Sequence, residues 1–293
     1  MADIVVDRRR GARRARWLAE VGWKYPLALV VIFLATFPLL YVVSVAVAQN
    51  STLTGSTRLF GSFSTANFVA LGETSFWTWC LNTIIIGSAT AVGSVLMGAA
   101  AAYAFSRFQF RGRRFALTSL LIVQMFPQML AFVAIYLLLL TIGDVIPALG
   151  INSKLALIAV YLGGALGSNT FLMYGFFNTI PKSLDEAAKI DGATHSQIYW
   201  GIILRLVTPI LAVVGLLSFI GTFGDFILAR IILTQESSWT LAVGMYQWVA
   251  SELNANWGLF TAGSVIASLP ILILFFALQK YIVGGLTAGS VKG

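Results

Sequence analysis

Six stretches free of charged residues divide this chain, at 25–57, 74–106, 115–143, 155–181, 206–224 and 253–279. Each meets the roughly 20 residues that a helix needs to cross the hydrocarbon of a bilayer. The pattern predicts an all-α integral membrane protein with six transmembrane helices. A further apolar segment, 237–251, is shorter and broken by polar residues, so a loop is expected there. One break in the pattern is unlike the others. Between the fourth and fifth runs, residues 183–202 read SLDEAAKIDGATHSQIYWGI, a polar insert with helix-forming composition.

The predicted spans carry their own local signals. Ser94, Gly98 and Ala102 recur at four-residue spacing in the second, and Gly163 with Gly167 in the fourth, a pattern that lets helix backbones approach closely. Ordinary helix packing accounts for it. Pro38 lies in the first span, and Pro127 and Pro270 each remove a backbone hydrogen bond inside a span, so kinks are expected at the latter two. The Ser-, Thr- and Gly-rich stretch after the first span sets that span apart as an appendage. The chain is expected to divide into a basic tail at 1–24, a first span with its external segment at 25–76, a core of five helices at 77–280, and a C-terminal tail at 281–293.

Composition agrees with a membrane setting. Hydrophobic residues make up 58% and charged residues 10%, with mean hydropathy +0.87, which leaves too little polar surface to cover a water-soluble globule. Of the 19 Lys and Arg, 16 fall on one side of the predicted spans, including Arg8 to Lys24, Arg107 to Arg114, and Lys182, Lys189 and Arg205. Arg58, Lys154 and Arg230 stand one per loop on the other side. Basic residues are retained in cytoplasmic segments, so both termini are expected in the cytoplasm. The net charge of +8 follows from this topology, and a nucleic-acid surface with interleaved stacking aromatics is excluded. The first apolar stretch is longer than the roughly 7–15 residues of a signal-peptide core, despite the small triplet Ala46, Val47, Ala48, which favours an uncleaved span. With Cys80 as the one cysteine, no internal disulfide and no thiolate metal site can form.

Catalytic chemistry finds little to work with. His195 is the only histidine and lies in the polar insert, where a solvated or packing role is expected. No GxxxxGK[ST] sequence occurs, so any use of ATP falls to a partner. Asp225 is placed near the external end of the fifth span, where it can line an outer vestibule or anchor at the interface, reaching water or Arg230. Ionisable groups are nearly absent at mid-membrane, which counts against an ion-coupled carrier. An integral-membrane enzyme would need paired acids or a histidine cluster that the chain lacks.

The insert itself is legible. Ser183 with Glu186 forms a capping-box pattern, Leu184, Ala187 and Ala188 share one side of a short helix, and Asp191 and Gly192 end it. Thr194 with Gln197 repeats the capping pattern, after which Ile198, Tyr199 and Ile202 lead toward the fifth span. Helix, tight turn and helix are predicted. So short a helix is marginal alone, and it either packs as a lid on this chain's own bundle or docks on another protein.

EAAKIDG, nine residues, then Ile202, Ile203 and Leu204 resembles the EAA signature of binding-protein-dependent ABC importer permeases. Arg205 stands where that signature has proline, and Pro209 is the next candidate for its role. The resemblance covers the chain from about residue 77 onward. QMFP at 124–127 after RGRRF, SSWTLAVGM at 237–245 and GLTAGSVKG at 285–293 are similar to carbohydrate permeases of the maltose and maltodextrin type. It implies the type I importer permease fold, in a bacterial cytoplasmic membrane. It further implies a coupling loop at about 178–205 that seats in an ATP-binding subunit through Glu186, Ala187, Ala188, Asp191 and Gly192. Implied partners are a second permease subunit, two ABC ATPases that bind the ATP and Mg, and an extracytoplasmic sugar-binding protein. No cofactor or metal belongs to this chain. The resemblance also places Trp239, Tyr246 and Trp248 in the outer loop that faces the binding protein, near sugar exchange, while burial at the membrane interface is the other reading of these aromatics.

Overall fold

The computed structural model describes residues 18–49, 59–251 and 255–288. The arginines of the first tail, Arg58 and the last five residues lie outside them. Two compact units are present, one built from residues up to 69 with 256–265, the other from 70–255 with 266–293.

In the first unit a π turn, Leu18–Gly22, leads into α1 (Lys24–Ala46), which continues through Pro38. Apolar side chains along α1, Leu29, Ile32, Phe33 and Leu34 among them, stay exposed on every side, as suits a helix in lipid. Only its last turn is buried, and it is tied down by polar groups. Phe60 N–H donates to Ser44 Oγ at 2.7 Å, and the Asn67 amide donates to the carbonyls of Ala46 and Ala48 at 2.9 and 3.1 Å. A short helix, α2 (Ala66–Leu71), follows.

The second unit is organised around α3 (Phe76–Arg107), a continuous 32-residue helix. Its Ser94, Gly98 and Ala102 are all buried, and a Cβ on Gly98 would stand 3.2 Å from Met173 Sδ, so the small-residue stripe does admit a neighbour closely. That neighbour is α6 (Lys154–Phe177). Gly167 of α6 meets Gln124, whereas Gly163 has open space around it. Cys80 is buried on α3.

The third predicted span divides into α4 (Arg113–Gln124) and α5 (Gln128–Val145). Pro127 is the cause. It offers no N–H to the preceding turn and drives Phe126 away from helical geometry, so Met125 to Pro127 interrupt the helix, and α5 carries the apolar length. Pro270, by contrast, sits inside α12 (Trp257–Ala288), which continues through it.

After α6 comes α7 (Ser183–Ile190), then α8 (His195–Leu206), whose middle, Ile198–Ile203, is π-helical. The chain turns by 77° at Val207 into α9 (Thr208–Gly224). Pro209 occupies the first turn of α9, and Thr208 Oγ1 binds the carbonyls of Leu204 and Arg205 at 3.1 and 2.9 Å. The break therefore comes later than the signature proline would put it, with Pro209 in its place. Two small helices follow, α10 (Ile227–Ile232) and α11 (Leu241–Tyr246), the second within the segment expected to be a loop. Among the described residues, five helices are long and apolar enough to cross a membrane, or six with the bent α8–α9 pair taken as one span. That matches the six crossings expected.

Two cores occupy the two ends of α3. Near its C-terminus, Ala99, Ala102 and Tyr103 pack with Met173, Phe177, Ala188, Ile198, Ile203 and Val214. Toward its N-terminus, Ile86 packs with Leu139, Leu157, Leu228, Ile232 and Val243.

Candidate functional site

The predicted coupling loop is held from both ends by backbone chemistry. α7 begins one residue earlier than expected. Pro181 and Lys182 carbonyls accept from Leu184 and Glu186 N–H at 3.3 and 3.1 Å, and Lys182 rather than Ser183 is the N-cap, with no side-chain cap bond. The Ser183–Glu186 capping box therefore does not form. Pro181, whose ring fixes φ near its helical value, starts the turn and leaves Ser183 already inside the helix.

The far end fits the expectation. Gly192 adopts φ +81°, Ala193 N–H donates to Ala188 O at 2.9 Å, and Gly192 N–H to Lys189 O at 3.0 Å, the paired bonds of a Schellman stop after Asp191. The second capping box is complete. Gln197 N–H donates to Thr194 Oγ1 at 3.3 Å, and Thr194 N–H donates to Gln197 Oε1 at 2.8 Å.

α7 has two faces. Ala188 and Asp185 turn inward, Ala188 into the core with Ile198 and Ile203. Leu184, Glu186, Ala187, Ile190, Asp191 and Gly192 are exposed, and Ile190 is 87% exposed. Of the five residues expected to meet an ATPase, four thus lie on the open side, and Ala188 packs against the chain itself. His195 packs edge-on against Phe108 at 4.9 Å, and its carbonyl accepts from Tyr103 Oη at 3.4 Å.

Sequence reasoning passed over the strongest polar contact in the region. Arg107, the last residue of α3, places Nε 2.6 Å from Asp185 Oδ2, a charge contact without hydrogen-bond alignment, and the two side chains are only 5% and 8% exposed. The same guanidinium donates to the carbonyls of Phe177 and Ile180 at 3.3 and 3.2 Å. Beside it, Ser106 Oγ donates to Asn178 Oδ1 at 2.9 Å. A buried charge with this many partners fixes the end of α3 to the start of α7. Asp185 precedes Ala188 by three residues and so shares its inward face.

At the opposite end of α3 the segment 236–248 folds over the first turns of the helix. Asn82 Nδ2 donates to Ser237 O and Trp239 O, both at 2.9 Å, while its Oδ1 accepts from Lys154 Nζ. Leu241 N–H donates to Thr83 Oγ1 at 2.7 Å, and Trp79 Nε1 to Glu236 O at 3.2 Å. The predicted aromatics divide between packing and exposure. Trp239 lies 6.1 Å from Trp79, and Trp248 lies 5.6 Å from Trp79 and 6.3 Å from Phe76, so both are part of an aromatic cluster. Tyr246 pairs with Phe226 at 4.7 Å yet remains 46% exposed. Asp225 does not pair with Arg230. Its Oδ1 accepts from Tyr161 Oη at 2.9 Å and from Ala229 N–H at 3.0 Å, capping α10, while Arg230 lies over the Trp239 ring at 5.1 Å. The free amide groups at the start of α10 hold the carboxylate and leave Arg230 to the indole face.

Residues 94–287 match the family model described as the binding-protein-dependent transport system inner membrane component. The chain belongs to that family. As one of its permeases, this protein is a multi-pass component of the inner membrane; it carries no catalytic site, and ATP hydrolysis belongs to separate subunits. It is 39% identical over 258 residues to the maltodextrin transport system permease protein MdxG of Bacillus subtilis, covering 88% of this chain and 91% of that one. It is 44% identical over 215 residues to the galactooligosaccharides transport system permease protein GanQ of the same species, covering 73% and 74%. Among solved structures, a chain of a bacterial ABC transporter involved in import of the acidic polysaccharide alginate superposes with TM-score 0.76 at 23% identity, covering 91% of this chain and 98% of that one. The type I importer permease fold expected from the signature is thereby confirmed.

Proposed function

We propose that this permease forms half of the translocation path of an ATP-driven importer for an oligosaccharide, a maltodextrin or related glucoside. It works with a second permease subunit, two ABC ATPases and an extracytoplasmic sugar-binding protein. Both termini and the α7 turn face the cytoplasm in this reading, in keeping with the distribution of Lys and Arg. The observation that carries it is the open face of α7. A short amphipathic helix, fixed to its own bundle on one side, presents Leu184, Glu186, Ala187 and the 87% exposed Ile190 on the other, a surface suited to a cleft in a partner. Closure of the ATPases on nucleotide displaces that docked helix, and the bundle answers by opening its cavity to the outside. Tyr246, exposed in the outer segment, is the aromatic best placed to meet sugar or binding protein.

Docking is tested by co-purification. Glu186→Ala removes a charged hydrogen-bonding group worth about 1.5–3 kcal/mol, so recovery of the ATPases with the tagged permease should fall about tenfold or more. Gly192→Asp forces a side chain into the left-handed region at φ +81° and should act in the same direction. Membrane insertion should be unchanged in both. Normal recovery and normal uptake in both variants would remove the coupling assignment. Vesicle uptake of maltotriose against a galactooligosaccharide, each with active and inactive ATPase, then assigns the substrate, and uptake with the inactive ATPase would point to a secondary carrier instead.

A further inference from the structure

The two polar attachments described above lie at opposite ends of one helix. α3 runs for 32 residues without a break and contains no proline, so at 1.5 Å per residue it spans about 48 Å. At its C-terminal end, Arg107 grips Asp185 of α7 and the carbonyls that lead into it. At its N-terminal end, Trp79, Asn82 and Thr83 hold the backbone of 236–241 through four hydrogen bonds. Asn82 and Thr83 are 2% and 1% exposed, so water does not compete for these contacts.

Resting on the function proposed above, we propose that α3 is the rod that carries displacement of the coupling helix to the outer segment, with Arg107 and Asp185 as the positioning residues at one end and Asn82 and Thr83 at the other. The connection through α6 is less direct. The α6–α7 link passes through Asn178 to Lys182, and it is Arg107 of α3 that takes up the carbonyl of Ile180 within it and that of Phe177 at the end of α6. A shift of α7 therefore pulls on α3 through a buried charge contact as well as along the chain. The same rigid helix delivers that shift to 236–241, whose main chain has no way to lag behind without breaking buried hydrogen bonds.

The test uses the permease assembled with its partner permease and ATPases. Gln247→Cys, at the exposed position just after α11, is labelled with a bimane fluorophore; Cys80 is buried and stays unlabelled. The readout is the spectral change on adding ATP with vanadate. Thr83→Val keeps shape and removes the acceptor for Leu241 N–H, and Arg107→Lys keeps charge and removes the guanidinium that spans Asp185 and the Phe177 and Ile180 carbonyls. Both variants should retain ATPase co-purification and the resting spectrum, and both should lose at least four-fifths of the nucleotide-driven change. Asp185→Asn should do the same from the far end of the rod, where no local effect on the fluorophore operates. A full response in Thr83→Val and Arg107→Lys overturns the proposal. Failure of Asp185→Asn to assemble leaves those two variants decisive. Absence of any response, or of ATPases, with the unaltered permease overturns the function on which the proposal rests, and the rod with it.

Discussion

Gly244→Ala is expected to destabilise the protein by about 3 kcal/mol or more, the upper range for forcing volume into a packed site. In a helix, exchange of glycine for alanine ordinarily stabilises by about 1 kcal/mol, so the predicted sign is reversed here. The reason is Trp79. A Cβ on Gly244 would overlap its indole ring, and that ring cannot retreat, because it is 3% exposed, bonded to Glu236 O, and flanked by Trp239 and Trp248. Thermal unfolding of the purified protein in detergent should show a midpoint lower by roughly 6–12 °C. Gly163→Ala is the control, since nothing stands within 4 Å of a Cβ there. Equal midpoints for the two variants would contradict the packing described for the outer segment.

The second large effect belongs to the ion pair. Asp185→Ala leaves Arg107 buried at 5% exposure without its counter-charge, and breaking one half of such a pair costs about 3–5 kcal/mol. The double variant Asp185→Ala with Arg107→Leu removes both charges and should recover most of that loss, since apolar replacement of a whole buried pair is close to neutral. Stability would thus return while the nucleotide-driven change at the outer segment would not. A single Asp185→Ala variant as stable as the unaltered protein would show that the contact carries no energetic weight. The cycle of four proteins separates pair energy from loss of packing.

Crossing number, the stop at Gly192 and the Thr194 cap could be read from the sequence because each depends on neighbours a few residues away. Ser183 loses its capping role because Pro181, an equally close neighbour, begins the turn sooner. The interruption of the third run at Pro127, by contrast, follows from the proline itself and was legible. Charge offers Asp225 either water or Arg230, whereas the nearer free amide of Ala229 and the hydroxyl of Tyr161 hold it. Arg107 and Asp185 were out of reach for a different reason. They are separated by 78 positions in the chain, and nothing local announces that the end of α3 returns to the start of α7.

The π-helical stretch Ile198–Ile203 gives the fixed count of nine residues between Gly192 and Ile202 a geometric meaning. A π turn amounts to an α-helix with one residue inserted, and each residue of helix advances azimuth by about 100°. Spacing in this stretch is therefore a phase setting: it decides which way α7 points once the bent span is seated. A one-residue deletion could keep every side chain of the motif and still aim it at the wrong quarter of the compass.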